Sequence, residues 1–280
     1  MPTAPHPNVR GFAPVLVAEV LDDARDHGAR VFGIVGVQGS GKSTLAAQVA
    51  ALAASRGLRV AVVSLDDFYL DRDARLALAH DVHPLLATRG PPGTHDLALA
   101  FATLDALRER RSVAVPRFDK GRDRRLPRDA WPRVDAADLV ILEGWCLATP
   151  PELPQQLIAP INALERDEDG GGVWRRHGNA ALANDYPALW QRIDRLLLLQ
   201  GPGFDVVPEW RWQQETARHA MQPEQPAMSR VQVARFVQHF ERVSRQALRT
   251  LPDIADRTIR LDADRRPWRT REGAGARLPP

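Results

Sequence analysis

Apolar residues along the chain keep two rhythms, one of helical spacing and one of unbroken short runs, and the two alternate. APVLVAEVLDDARDHG, residues 13–28, has apolar positions at helical spacing and ends at Gly28, a C-cap signal. VFGIVGV, 31–37, has no polar face, the mark of a strand in a parallel sheet covered on both sides. KSTLAAQVAALAASR, 42–56, is an Ala/Leu-rich helix closed by Gly57, and LRVAVVSL is the next strand. HDLALAFATLDALRERR, 95–111, predicts an amphipathic helix and SVAVPRF, 112–118, a strand after it. DLVILEG, 138–144, and DRLLLLQG, 194–201, are further apolar strands. Helical stretches over 208–221 and 229–250 precede a last strand-like segment, RTIRLDAD.

Strands alternating with helices predict an α/β protein, a mostly parallel, doubly wound sheet with helices on both faces. The expected organisation is a single domain over 1–280 with its core in 30–265, a helical lid at 205–225 and a flexible tail over 266–280. ERDEDGGGVWRRHG, 165–178, joins acidic and glycine clusters and reads as an exposed loop excursion. No internal repeat is present.

Composition narrows the class. The 280 residues are 44% hydrophobic, enough for a sizeable core, and 38 basic against 35 acidic residues leave a net charge of +3. So small an excess does not argue for nucleic acid, and the basic run RERRSVAVPRFDKGRDRRLPRDAWPR lacks a repeated aromatic platform. One cysteine, Cys146, excludes an intrachain disulfide framework and suits a reducing compartment. MPTAPHPNVRGF does not read as a secretory signal, and no apolar stretch approaches the roughly 20 residues that cross a bilayer. The expectation is a cytoplasmic protein without membrane partners. The oligomeric state is not legible.

Candidate chemistry begins at GVQGSGKS, 36–43, the one G-x-x-x-x-G-K-[ST] match, with a buried strand before it and a helix after it. Gly36, Gly39, Ser40 and Gly41 let successive backbone N–H groups face phosphate oxygens, and the helix N-terminus adds its positive dipole end. Lys42 neutralises β/γ-phosphate charge, Ser43 offers a hydroxyl to Mg²⁺, and Thr44 completes the nucleotide-binding set. The expected cofactors are ATP and Mg²⁺. No N/T-K-x-D segment for reading guanine is present. The later apolar strand ends in a lone carboxylate, Glu143, placed to bind Mg²⁺ directly or through water.

SLDDFYL, 64–70, sets two carboxylates and two aromatics where the strand after the P-loop helix surfaces. Ligands of a doubly wound sheet sit beyond that end. A small-molecule kinase needs a carboxylate there to orient, and take a proton from, an attacking hydroxyl. The pattern makes Asp66 or Asp67 that group and Tyr69 part of an acceptor pocket.

These segments together resemble the phosphoribulokinase, uridine kinase and pantothenate kinase group, which shares an Asp, a small residue and an aromatic after the P-loop. That register implies Asp66 as the base. Asp67 is left a hold on Mg²⁺ or its waters, contact with substrate, or orientation of the turn. RGPPGTHDL, 89–97, PRFDKGRDR, 116–124, and ILEGW, 141–145, further resemble the D-glycerate 3-kinase family, with weaker likeness through EWRWQQETARHA and AMSRVQVARFVQHFERV. The resemblance implies ATP-dependent phosphorylation of D-glycerate or a similar anionic, hydroxylated metabolite. The chain departs from the family where only GR stands between FDK and DR, which leaves the family's arginine position to Arg122, Arg124 or Arg125.

A small anionic acceptor calls for fixed positive charge, and Arg89, His95, Arg117 and Lys120 lie in the matching segments. Gly90 and Gly93 flank two prolines in a turn presenting Thr94 and His95, with His95 reading as a substrate contact or a brace of the turn. Asp96 reads as a helix cap or a functional group, and Asp119 as a partner of Lys120 or Arg117. Arg211 and Arg218, two turns apart on one helix face, are the candidate lid arginines, with Trp210 and Trp212 as packing residues. Trp145 and Cys146 read as packing as well. A uridine- or pantothenate-type kinase and an ATP-binding regulatory module are the alternative functions.

Overall fold

In a computed structural model the described residues are 11–221, 223–224 and 226–268. The first ten residues and the tail from 269 on, where most of the flexible tail was expected, lie outside them.

Five strands form one parallel sheet: β1 Val31–Val35, β2 Val60–Ser64, β3 Leu139–Gly144, β4 Arg195–Gln200 and β5 Arg257–Arg260. Their spatial order is β2-β3-β1-β4-β5, so chain order reverses about β1 and opens a crevice at its carboxyl end. The register aligns Val31 with Val140 and Phe32 with Arg195 across β1.

Alternation splits each apolar strand between two cores. Phe32, Ile34, Ile141, Leu197 and Leu199 face α1 (Pro14–Asp26) and α2 (Lys42–Ser55). Val31, Val35, Val140, Leu142 and Leu198 face α4 (Leu97–Arg108) and α9 (Arg230–Thr250), while α3 (Arg72–Asp81) lies between β2 and α4 in the chain. The central strands β1 and β3 are buried along their whole length because both faces are covered, and each fully buried aliphatic side chain contributes about 1.5–3 kcal/mol. Among the described residues no helix is long and apolar enough to cross a membrane.

Two expectations are corrected. SVAVPRF does not join the sheet. Val113–Ala114 pairs antiparallel with Arg133–Val134, and Phe118–Asp119 pairs with Arg124–Arg125. Pro116 lies between the two short pieces and has no N–H to continue a ladder. The segment 165–178 is not a loop excursion but parts of two helices, α5 (Ala163–Glu168) and α6 (Val173–Asn184), followed by the short α7 (Pro187–Trp190). Its buried carboxylates are paired. Glu165, fully buried, accepts from Arg242 Nε at 2.7 Å and Nη2 at 2.6 Å. Buried Asp169 accepts from the backbone N–H groups of Trp174 and Arg175 and from the Arg175 guanidinium. Leu164 and Trp174 pack with Leu85 and Leu86.

Candidate active site

The phosphate loop joins β1 to α2 through backbone that only glycine accommodates. Gly39 and Gly41 have φ of +82° and +94°. A Cβ on Gly39 would lie 2.6 Å from Trp210 Cβ, so the first turns of α8 (Val207–Met221) rest directly on the loop. A Cβ on Gly36 would lie 2.6 Å from the Leu199 carbonyl oxygen of β4. The Ser40 hydroxyl is buried without a hydrogen-bond partner among the described residues. The Lys42 ammonium donates to the Val37 carbonyl at 3.1 Å, and burial depresses its pKa, which phosphate charge would reverse. A second clamp comes from beyond β5, where Arg265 Nε donates to the Gly39 carbonyl at 2.7 Å and its guanidinium stacks on Trp210.

This loop forms one wall of a cavity of about 230 Å³. Gly39, Gly41, Lys42, Ser43 and Thr44 line that wall, while Gly36 and Ser40 support it from behind. Glu143, at the end of β3, accepts from Ser43 Oγ at 3.1 Å and from Ser64 Oγ at 2.6 Å. Among the described residues no cluster of three or more His, Cys, Asp or Glu is arranged to hold a metal. The Ser43 hydroxyl and Glu143 carboxylate instead supply a small oxygen donor set. That set fits a hard cation completing its shell with phosphate and water oxygens.

Across the cavity stands the end of β2. Asp66 and Tyr69 line the cavity with Arg89 and Lys120. Lys120 Nζ meets Asp66 Oδ2 at 2.5 Å, and the Tyr69 hydroxyl also bonds this carboxylate. Burial works to raise the Asp66 pKa, but Lys120 and the Tyr69 hydrogen bond overcome it and hold the carboxyl well below the usual range. Arg89 is held at 2.5 Å by Asp123 and donates to the Lys120 carbonyl at 3.1 Å. Arg211 and Arg218 reach the cavity from α8, both paired with Glu215, at 3.0 and 2.5 Å.

Besides Gly36 and Ser40, four sequence candidates do not line this cavity. Asp67, expected on metal or substrate, instead accepts from the Phe118 N–H at 3.0 Å and from Arg117 Nη1 at 3.1 Å. Both Asp67 and Arg117 are thereby committed to fastening the 116–119 segment behind Asp66. Burial pushes the Asp67 carboxyl up to about 6 against the pull of Arg117. Thr94 Oγ1 donates to the Pro91 carbonyl and accepts from Gly90 N–H, so it braces the turn. His95 is buried, with Nδ1 on the Tyr186 hydroxyl at 2.5 Å, and burial pushes its pKa down to about 4. Gly90 and Gly93 have φ of +106° and +91°, as the turn requires.

The remaining alternatives resolve on geometry. Asp96 caps α4 by accepting from Leu99 N–H at 3.0 Å and also holds Arg125 at 3.1 Å. Arg125 alone of the three candidate arginines is tied in this way to the RGPPGTHDL segment. Asp119 pairs with neither Lys120 nor Arg117 but accepts from the Gly121 and Arg122 N–H groups. Trp145 is buried edge-on to Phe240, and both rings line the cavity along with Gln38, Gln214 and Phe236, none of which the motifs singled out as site residues. Glu215, the carboxylate that pairs with both Arg211 and Arg218, lay inside the EWRWQQETARHA stretch but carried no signal without their positions.

Comparison with known proteins identifies the family of this fold. Residues 4–68 match the family model described as methylmalonyl Co-A mutase-associated GTPase MeaB, a span that ends at Phe68 and holds the P-loop. Over 222 residues the chain is 32% identical to the uncharacterised kinase mug58 of Schizosaccharomyces pombe, covering 75% of this chain and 78% of that protein. The chain belongs to the P-loop kinase family that includes the D-glycerate 3-kinases. The chloroplastic D-glycerate 3-kinase of Arabidopsis thaliana is 31% identical over 259 residues, 86% of this kinase. The kinase spans about half, 54%, of that plant protein. The solved D-glycerate 3-kinase of Cryptococcus neoformans superposes with a TM-score of 0.72 at 26% identity, covering 90% of the kinase and 95% of the fungal chain.

Proposed function

We propose that this kinase transfers the γ-phosphoryl group of ATP to the primary hydroxyl of D-glycerate, giving 3-phosphoglycerate and ADP. The observation that carries the reading is Asp66: a carboxylate at the end of β2, in one cavity with the phosphate loop and beside the cations Arg89 and Lys120. The named D-glycerate 3-kinases among its relatives support the acceptor.

In this reading the loop N–H groups and Lys42 hold the β- and γ-phosphates, and Ser43 and Glu143 would hold Mg²⁺. When bound, that ion supplies charge neutralisation across the two phosphates. Arg89 and Lys120 bind the acceptor carboxylate. Asp66 orients the 3-hydroxyl and receives its proton as the oxygen bonds to the γ-phosphorus and the bond to the β–γ bridging oxygen breaks. Arg211 and Arg218 meet the equatorial phosphoryl oxygens from α8, where burial has lowered the Arg211 pKa.

The test is ADP release with ATP and Mg²⁺ against a panel of D-glycerate, L-glycerate, uridine, pantothenate and no acceptor. D-Glycerate-dependent turnover with 3-phosphoglycerate as product is expected. Turnover with uridine or pantothenate alone would replace the acceptor, and acceptor-independent turnover alone would favour the ATP-binding module.

A further inference from the structure

Arginine supplies nearly all of the positive charge of this chain. Of its 38 Lys and Arg residues only two are lysine, Lys42 and Lys120, and both line the cavity. Elsewhere arginine grips carboxylates with two nitrogens at once, as Arg59 does Asp138, Arg192 does Asp105 and Arg195 does Asp23. A guanidinium fork of that kind fixes its partner. An ammonium makes a point contact on a flexible stem and can be drawn to another anion.

Lys120 has the geometry of a movable contact. Its ammonium sits 2.5 Å from Asp66 Oδ2, while its side chain is 56% exposed. Its backbone, by contrast, is held. Arg89 donates to its carbonyl, and the adjoining hairpin is fastened through Phe118 N–H to Asp67. The other cavity cations already have fixed partners: Arg89 on Asp123, Arg211 and Arg218 on Glu215, Lys42 on the Val37 carbonyl. Lys120 alone among these five is paired with the carboxylate assigned to the hydroxyl proton.

We propose that Lys120 is an acceptor-operated latch on Asp66: the carboxylate of the incoming acceptor draws the ammonium off Asp66 Oδ2 and so frees that oxygen to take the hydroxyl proton. The inference rests on the acceptor reading above and adds a selectivity rule to it. Water and neutral polyols carry a hydroxyl but no anion, so they leave the latch shut. Hydrolysis needs the same step: a water oxygen bonds to the γ-phosphorus, the β–γ bridging bond breaks, and the water proton passes to Asp66. Holding Asp66 on Lys120 suppresses that step until an anionic acceptor arrives.

The full-length kinase and its Lys120→Met and Lys120→Arg variants, with ATP and Mg²⁺, test the latch through ADP release. Without acceptor, Lys120→Met is expected to hydrolyse ATP at least about fivefold faster than the wild type, the scale of one weak ion pair. D-Lactate, which has the carboxylate of D-glycerate but no 3-hydroxyl, is expected to stimulate hydrolysis in the wild type and not in Lys120→Met. Lys120→Arg is expected to stay slow without acceptor and to lose kcat with D-glycerate. The wild-type response to D-lactate stands without any variant, should Lys120→Met fold poorly. Unchanged hydrolysis in a folded Lys120→Met, or a wild type indifferent to D-lactate while it phosphorylates D-glycerate, overturns the latch. Raised hydrolysis in Lys120→Met beside a wild type that leaves D-glycerate untouched supports the latch and rejects the acceptor.

Discussion

The two sides of the cavity are built from different interactions. On the phosphate side the shape is made by backbone: glycines at positive φ, a helix N-terminus, and β1 buried on both faces. On the acceptor side it is made by ion pairs between segments far apart in sequence. Lys120 meets Asp66 over 54 residues, Arg117 meets Asp67 over 50, Arg89 meets Asp123 over 34 and Arg125 meets Asp96 over 29. Backbone geometry serves any polyphosphate and tolerates almost no substitution. Paired side chains can be re-aimed by single changes, so acceptor choice can shift while nucleotide binding is kept.

The largest expected effect that separates the sides is Asp66→Asn. Turnover should fall about 10²–10⁴-fold with ATP affinity within about twofold, measured by steady-state kinetics and calorimetric titration. Near-normal turnover would remove Asp66 from its proposed role. On the other side, Gly39→Val forces a Cβ onto Trp210 and strains a φ of +82°, so nucleotide affinity should fall at least about tenfold. Wild-type ATP affinity in that variant would mean the loop is not shaped by its contact with α8.

A smaller effect concerns pH. The His95 ring, pushed down to about 4, stays neutral in the folded chain while an unfolded histidine takes a proton near its ordinary 6.5. Its contribution is therefore whole above about 6.5 and is lost as pH falls toward 4, up to roughly 3 kcal/mol. His239, also held near 4, acts in the same direction. Asp67, raised to about 6 from 3.8, acts oppositely within the same window, its protonated form increasingly favouring the fold as pH falls from about 6 to 3.8. Denaturant titrations from pH 7 to 4 should show His95→Gln flattening the loss, and an unchanged slope would place the ring in contact with water. The smallest effect is expected of Asp67→Asn, which should reduce stability by about 1–2 kcal/mol and leave the Mg²⁺ dependence of the rate unchanged. A shifted Mg²⁺ requirement would restore Asp67 as a metal ligand.

What could be read from sequence follows the same division. The sheet, the P-loop and Glu143 were legible because apolar runs and glycine spacing are local signals. The roles of Asp67 and Arg117 were not, because nothing local says that they face each other. The segment 165–178 misled for a related reason: a charged, glycine-rich string looks solvated until Arg242, 77 residues from Glu165, supplies its partner. SVAVPRF has the residue types of a strand, but its proline confines it to short antiparallel pieces. The scarcity of lysine, two in the whole chain, points straight to both ammonium groups of the cavity.

The seating of Trp210 on Gly39 also determines how α8 can move. With no gap between them and with Arg265 clamping both, the root of the helix is a fulcrum. Any rocking of the arm beyond it displaces Arg211, one residue away, very little. Arg218 lies about 12 Å from Trp210 along the axis, so a tilt of about 10° would sweep its Cα through about 2 Å. A tilt about that root would therefore hold the Arg211 guanidinium nearly still and carry Arg218 through the larger arc, with Glu215 paired to both.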